Sequence, residues 1–298
     1  MSGFWTAVLL SVVSALCYGA GAVAQRRLAD RIGGPFDRRA LGALMRHRLW
    51  WTAVALNSTG ALLHVAALAF GTLTVVQPLG TLALVFALPW AARWAARPVT
   101  PREWHGAVLT VIALSVMLVV APTSAASTLS PATTAAVLAA VLLSVGALVA
   151  AAHRIPHPRW SSQVHAVAAG IAFGAASALT KTFTDEIAAG GAAHALTHPA
   201  ALGTLVLAGA GALLSQASYR GVAVGAPLAT MSLANPVAAV LIGMGFMGEE
   251  YMGGSWGVGV AVISGMVAIR GVHLLATAAD TPGAPPPAAP TPVGALHR

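Results

Sequence analysis

The chain has 298 residues, of which 57% are hydrophobic and only 8% are charged, and its mean hydropathy is +0.79. A typical globular domain is about a quarter charged, so this composition excludes a soluble protein whose surface faces water. The net charge is +8, but the basic residues are too few and too ordered along the chain to form a nucleic-acid-binding surface. The single cysteine, Cys17, excludes an internal disulfide and a cysteine-based metal cluster.

Nine continuous apolar segments are each long enough to cross a membrane. A helix that crosses the hydrocarbon core needs roughly 20 mostly apolar residues. Backbone groups cannot stay unpaired in lipid, and apolar runs without alternation favour helices over a barrel. In chain order, the predicted spans are Phe4–Gln25, Trp50–Phe70, Thr74–Trp94, Trp104–Ala121, Pro131–Ala152, Val164–Phe183, Pro199–Tyr219, Val224–Met247 and Met252–His273.

The positions of the arginines indicate how these spans are oriented in the membrane. Cytoplasmic loops of membrane proteins are enriched in Lys and Arg. Every arginine falls in the first, third, fifth or seventh connection or at the end of the last span and beyond, and the other connections contain neither Arg nor Lys. We therefore predict a multi-pass protein of the cell membrane, with its N-terminus outside and its C-terminus in the cytoplasm. The bias toward arginine and alanine is typical of a GC-rich bacterial genome.

Four short sequence patterns recur in the same order, each about 150 residues apart. Tyr18-Gly19-Ala20 returns as Phe173-Gly174-Ala175, and Gly60-Ala61-Leu62-Leu63 returns as Gly211-Ala212-Leu213-Leu214. Pro78-Leu79 returns as Pro227-Leu228, and Trp104-His105-Gly106 resembles Trp256-Gly257. Because one span connects the two sets of four, the sets have opposite topology, as in many secondary transporters. The predicted organisation is a first repeat (1–121), a connecting helix with its loops (122–163), a second repeat (164–275) and a disordered tail rich in Pro and Ala (276–298).

Three stretches of the first repeat resemble the NIPA-type magnesium transporters of the drug/metabolite transporter superfamily. They are Trp50-Trp51, the run from His64 to Phe70, and Val76-Gln77-Pro78-Leu79-Gly80. In that family the pattern is a Trp pair, an Asn-Phe-Ala-Ala-Tyr-Ala-Phe run, and Val-Thr-Pro-Leu-Gly. In the second repeat, Asn235-Pro236 and Gly248-Glu249 are similar to EamA-like members, in which Gly-Glu closes the penultimate span. The resemblance covers nearly all of the chain except the tail, and it implies transport, with magnesium as one substrate.

Two departures bear on the substrate. The magnesium family has a Glu ahead of its Asn in the second span, whereas this chain has Thr59-Gly60 there and His64 in place of the Asn. Magnesium keeps its hydration shell and is usually bound through one or two carboxylates. No Asp or Glu lies well inside a predicted span, so the identity of a metal ligand set stays open.

Polar side chains inside the spans are candidates for lining a transport pathway. His64 can carry a proton, because imidazole titrates near neutral pH, or it can bond a neighbouring helix. The amides can bind a solute through oxygen, or hold helices together through hydrogen bonds worth about 1 kcal/mol. Proline frees a carbonyl that lipid cannot satisfy, which favours pathway positions near it. The candidates are His64, Gln25, Asn57, Gln77, Pro78, Lys181, Gln216, Asn235 and Pro236.

Lys181 is the only cation predicted inside a span, near the outer end of its helix. An ionisable group inside a span is a candidate functional residue, or it can snorkel to the interface. Asp185, one turn later, can pair with it. Four acids, Asp185, Glu186, Glu249 and Glu250, give the predicted outer face a rim without compensating Arg or Lys, which can concentrate cations. Solvated loop ends, or a helix cap at Glu249, are the alternative reading.

We therefore predict an all-α secondary transporter of about nine spans that moves a small solute or cation by alternating access. Within that class, magnesium transport and export of an organic metabolite or drug both stay open. A non-transporting membrane scaffold is the less favoured alternative. An enzyme is not expected, because the spans lack paired acids. No cofactor is predicted, the lipid bilayer is the surrounding partner, and a homodimer is left open.

Overall fold

The computed structural model of the protein describes residues 2–33, 38–121 and 128–278. Within these ranges all regular secondary structure is helical. The helices are α1 (Ser2–Ile32), α2 (Arg38–Arg46), α3 (Arg48–Leu68), α4 (Leu73–Gly80), α5 (Ala83–Trp94), α6 (Pro101–Val119), α7 (Pro131–Arg154), α8 (Pro158–Thr197), α9 (Pro199–Ser218), α10 (Gly225–Phe246) and α11 (Ser255–Ala278).

Nine spans in the described part of the chain are long and apolar enough to cross a membrane, if α4 and α5 are counted as one broken span. The prediction of an α-helical membrane protein with about nine spans is thus confirmed. Many of the large apolar side chains on these helices are exposed, including Leu62, Leu143, Leu205 and Trp256, each at 72% or more. Such surfaces are stable when they face lipid.

Two helices extend beyond their predicted ends. α1 continues to Ile32, so that Arg26, Arg27, Asp30 and Arg31 lie on a helix and not in a connection. Arg26 pairs with Asp30 one turn later, which favours the helical extension. α8 runs for 40 residues, so Asp185 and Glu186 are also helical. Alanines dominate its last turns, and alanine has the highest helix propensity. A break occurs at Gly191, whose φ of 82° is accessible to glycine.

The third span is interrupted in its first half. α4 contains Pro78 and ends at Gly80, and α5 begins at Ala83. Proline has no N–H and therefore cannot continue the hydrogen-bond ladder of a helix. The hydroxyl of Thr81 donates to the carbonyl of Pro78 at 2.7 Å, which satisfies one of the exposed acceptors at the break.

The predicted tail lies mostly outside the described residues. Positions 276–278 form the last turn of α11, whereas 279–298 are not described. Residues 122–127, which belong to the predicted fourth connection, are not described either.

Helix neighbours follow a regular pattern. In the first four spans, α1 packs on α3 and on the broken span α4–α5, which also contacts α6. In the last four, α8 packs on α9 and on α10, which also contacts α11. α6 packs along α11, and α7 lies against α8 and α9.

The arginine-bearing ends of the helices meet at one face, which we call the arginine face. The guanidinium of Arg26 donates to the carbonyl of Tyr219 at 3.0 Å, and that of Arg27 lies 3.6 Å above the ring of Trp94. Arg220 donates to the carbonyl of Gly33 at 3.4 Å. These contacts place the ends of α1, α5 and α9 together. The opposite face carries the end of α3, the start of α1 and the loop after α10.

Candidate functional site

Two of the predicted amides meet between the first four and the last four spans. The side chain of Gln25 on α1 is 3% exposed and Gln216 on α9 is fully buried. The Nε2 of Gln216 donates to the main-chain carbonyl of Gln25 at 2.9 Å, and the hydroxyl of Ser215 donates to Oε1 of Gln25 at 3.0 Å. Gln25 Nε2 donates to the carbonyl of Ala212 at 3.5 Å. We call this group the Gln25–Gln216 cluster.

Buried apolar side chains fill the space between the helices near the Gln25–Gln216 cluster. Ala22 and Ala29 of α1 form one buried cluster with residues of α8, α9 and α10, among them Ala166, Tyr219 and Met231. A second buried cluster joins α5 and α6 to α10 and α11. Toward the arginine face, the two sets of spans are therefore joined by hydrogen bonds and by packed apolar side chains.

His64 lies beside the break in the third span. A Cβ at Gly80 would be 3.5 Å from Cε1 of His64, so the imidazole rests on the end of α4. Its Nδ1 is buried without a hydrogen-bonding partner in the described part of the chain. Gln77 and Pro78 lie on the preceding turn of α4. These three predicted residues thus share one region, nearer the opposite face than the Gln25–Gln216 cluster.

The other predicted pathway residues are separate from these two groups. The side chain of Asn57 on α3 lies directly against Gly21 of α1. The backbone of Asn235 lies against Gly170 and Gly174 of α8. Pro236 is inside α10 and cannot donate to the carbonyl of Ser232, four residues before it. The structure therefore does not gather all of the predicted residues into one site.

Lys181 pairs with Glu249 across two helices. Its Nζ lies 3.4 Å from Oε1 of Glu249, in the loop after α10, so the expected pairing with Asp185 is not the one formed. The Glu249 side chain lies over Gly243, where a Cβ would collide with it. The Lys181 side chain is 39% exposed, and that of Glu249 is 16% exposed.

Two acids of the predicted rim contact a basic side chain, and one of these contacts, with Lys181, contradicts the prediction of a rim without Arg or Lys. Glu249 has Lys181 beside it, and Oε2 of Glu186 lies 3.0 Å from Nε2 of His194. Helical spacing predicts neither contact, because 68 residues separate Lys181 from Glu249 and the break at Gly191 lies between Glu186 and His194. In the described part of the chain, no group of three His, Cys, Asp or Glu side chains is placed to hold a metal ion.

A buried ion pair at the arginine face was missed. Glu103 is 4% exposed and accepts two hydrogen bonds from Arg97, at 2.6 and 2.8 Å. It also accepts from the N–H of Thr100 at 2.8 Å and completes the capping box of α6. Because Arg97 donates these hydrogen bonds to the Glu103 carboxylate, its pKa is raised above the ordinary value. The Thr-x-x-Glu pattern ahead of an apolar run was the signal available in the sequence.

A cavity of about 400 Å³ at the arginine face was also missed. Its polar lining comes from His153, Ser161, Ser162, His165 and Arg220. The clustering of histidines around the connection between α7 and α8 was the only sequence signal for it.

The helices define the class of the protein as a multi-pass α-helical membrane protein. The chain is similar to an uncharacterized protein of Corynebacterium glutamicum, with 26% identity over 255 residues that cover 84% of this chain and 87% of the relative. A comparison with protein-family profiles gives no match. No solved structure matches the chain significantly.

Proposed function

We propose that the protein is a secondary transporter of the drug/metabolite superfamily type, in which two inverted sets of four spans rock about a central pathway. Inverted repeats place the substrate between the two sets and expose it to each side of the membrane in turn. The cell membrane, with the arginine face toward the cytoplasm, is the proposed location.

A duplicated pattern of close contacts is the observation that carries this proposal. A Cβ at Gly60 would lie 3.3 Å from the Tyr18 ring, and a Cβ at Gly211 would lie 2.8 Å from the Phe173 ring. Gly60 and Gly211, like Tyr18 and Phe173, are paired by the sequence repeat. The same residue types therefore meet at matching places in the two sets of spans.

A second pair of contacts follows the same correspondence. A Cβ at Gly19 on α1 would lie 3.2 Å from the N of Ala87 on α5. A Cβ at its counterpart Gly174 on α8 would lie 2.9 Å from the Cβ of Ala238 on α10. Small residues that let two helices approach closely are typical of membrane helix pairs. The helix neighbours correspond as well, because α1 packs on α3 and α5 as α8 packs on α9 and α10. The contact of α6 with α11 joins the two sets of spans.

The polar groups along the interface favour a small solute or cation. The available groups are imidazole, amides and carbonyls near proline. The described carboxylates lie near the end of α1, at the start of α6, in the loop after α10, or, for Asp185 and Glu186, shortly before the break in α8 at Gly191. Asp30, Glu103, Glu186 and Glu249 each contact a basic side chain. Magnesium prefers carboxylates or keeps its waters. A hydrated magnesium ion and an organic cation are therefore the two substrates to compare.

Flux into proteoliposomes tests the proposal. Purified full-length protein is reconstituted, and uptake of Mg²⁺ and of ethidium is followed with and without a proton gradient. We expect saturable uptake of one of the two, and a loss of at least about tenfold in His64→Gln if this imidazole lines the pathway or carries the proton. The matched control is His273→Gln, which changes an exposed histidine near the end of α11.

The outcomes separate the alternatives. Saturable magnesium uptake supports the relationship to the magnesium transporters, and gradient-dependent movement of ethidium supports the organic exporter. If protein-containing and empty vesicles behave alike with both probes and with a wider panel of small solutes, the scaffold hypothesis replaces transport.

A further inference from the structure

The cavity at the arginine face has the lining of an anion-binding site. It lies between the end of α7, the start of α8 and the end of α9. Arg220 supplies a permanent positive charge at its wall, and its Nη1 is held by the carbonyl of Gly33 at 3.4 Å. Arginine donates several N–H groups in a plane, a geometry that suits phosphate oxygens.

Two histidines face the cavity with defined ring orientations. Nδ1 of His153 lies 2.7 Å from the carbonyl of Val149, and Nδ1 of His165 lies 2.8 Å from the carbonyl of Ser161. A carbonyl only accepts, so each Nδ1 carries a hydrogen and each Nε2 is left for a ligand. The ring centroids are 6.0 Å apart. A neutral Nε2 accepts from a ligand hydroxyl, and a protonated one donates to a phosphate oxygen.

In the described part of the chain, the acidic groups near the cavity are few and already paired. The chain has no acidic residue between Glu103 and Asp185, nor between Glu186 and Glu249, so the helix segments that line the cavity carry none. Asp30 on the neighbouring α1 pairs with Arg26.

One carbonyl at the end of α7 and one at the end of α9 accept a hydrogen bond from a serine of α8. The hydroxyl of Ser161 donates to the carbonyl of Ala152 at 3.1 Å, and that of Ser162 donates to the carbonyl of Ser218 at 2.6 Å. Unsatisfied carbonyls at helix ends repel anions, so these two bonds lessen that repulsion beside the cavity.

The position of the cavity suits a ligand at the membrane surface. Trp160, in the first turn of α8, is 64% exposed, and Trp is enriched at the level of lipid headgroups. Basic pockets between membrane helices commonly hold anionic headgroups. We propose that this cavity binds the phosphate group of an anionic ligand, either a lipid headgroup or a soluble phosphate compound.

Binding to the full-length protein in a neutral maltoside detergent tests the proposal. The probes are short-chain phosphatidylglycerol, inorganic phosphate and phosphatidylcholine of the same chain length, titrated by microscale thermophoresis. We expect saturable binding of phosphatidylglycerol and at least about tenfold weaker binding of phosphatidylcholine, which carries a compensating positive charge. Additional binding of inorganic phosphate identifies a site for the free anion, and its absence identifies a site for lipid.

Variants locate the binding. Arg220→Gln should weaken the affinity for phosphatidylglycerol by about tenfold or more, the usual effect of losing a charge-assisted hydrogen bond. His153→Gln changes an exposed side chain, so the fold should be retained. This variant should weaken the affinity for phosphatidylglycerol by about threefold or more. Arg270→Gln removes the same charge from an exposed site on α11 and serves as control. Equal weakening in all three variants, or no saturable binding of any probe, would overturn the proposal.

Discussion

Breaking the Gln25–Gln216 cluster should open the arginine face. In Gln25→Leu, the side chain loses the hydrogen bond from Ser215 at 3.0 Å and its own donation to Ala212 at 3.5 Å. The bond from Gln216 to the main-chain carbonyl remains. Hydrogen bonds between membrane helices average about 0.6 kcal/mol, and the 3.5 Å bond is at the limit of the geometry. The expected loss is about 1 kcal/mol.

A loss of this size shifts the balance between closed and open conformations by about fivefold. A thiol placed inside the closed region reports the shift. Cys17 is the single cysteine of the chain, so the background is Cys17→Ser and the reporter is Ala22→Cys, at a position that is 3% exposed. Labelling with a membrane-impermeant maleimide from the arginine side should accelerate about fivefold in Gln25→Leu.

The control uses the same substitution within one set of spans. Gln163 on α8 accepts a hydrogen bond from Thr230 on α10, both in the last four spans. Gln163→Leu should leave the labelling rate of the Ala22→Cys thiol within about twofold of the background. If Gln25→Leu and Gln163→Leu give the same rate, the cluster does not hold the two sets of spans together at this face.

Three further predictions concern packing, the missed ion pair and topology. Gly174→Ala should lower the free energy of unfolding in detergent by about 1–3 kcal/mol, because the added Cβ would collide with the backbone of α10. Gly209→Ala adds a Cβ in open space and should leave the free energy of unfolding unchanged. Glu103→Gln should cost about 1–3 kcal/mol in the same assay, but Asp30→Asn, at an exposed pair, less than about 1. A reporter enzyme fused at Ser124 should be active only outside the cell, and activity in the cytosol would refute the nine-span topology.

The number of spans could be predicted from the sequence alone. Each span must be about 20 residues long and apolar, so composition and length predict it directly. The ends of α1 and α8 were not predictable in the same way. In the sequence, Arg26 and Asp185 indicate connections, but a charged residue near a membrane surface can remain helical and reach water with its side chain.

The candidate site was only partly predictable. The sequence identifies Gln25 and Gln216 as intramembrane amides, but 191 residues separate them and no local pattern pairs them. For Lys181, helical spacing suggested Asp185, whereas the loop after α10 brings Glu249 to it. Contacts between distant segments depend on how the helices pack, and periodicity within one helix does not contain that information.

The two predicted groups lie at different depths. Ser14 of α1 donates to the carbonyl of Gly60 of α3, which sets these two residues at one level. Gln25 is eleven residues further along α1 toward the arginine face, and His64 is four residues further along α3 toward the opposite face. At 1.5 Å per residue, roughly 20 Å separates them along the helix axes. A ligand at His64 therefore cannot touch the Gln25–Gln216 cluster.

Any effect of one group on the other must therefore pass through a movement of the two sets of spans. A solute that binds at His64 and favours opening at the opposite face should slow labelling of the Ala22→Cys thiol, although the solute is remote from it. His64→Gln should abolish this slowing by Mg²⁺ or ethidium, whichever is transported, and leave the rate without solute unchanged. If the transported solute leaves the labelling rate unchanged in protein with His64 intact, the two levels are not coupled, and alternating access between inverted halves is refuted as the mechanism.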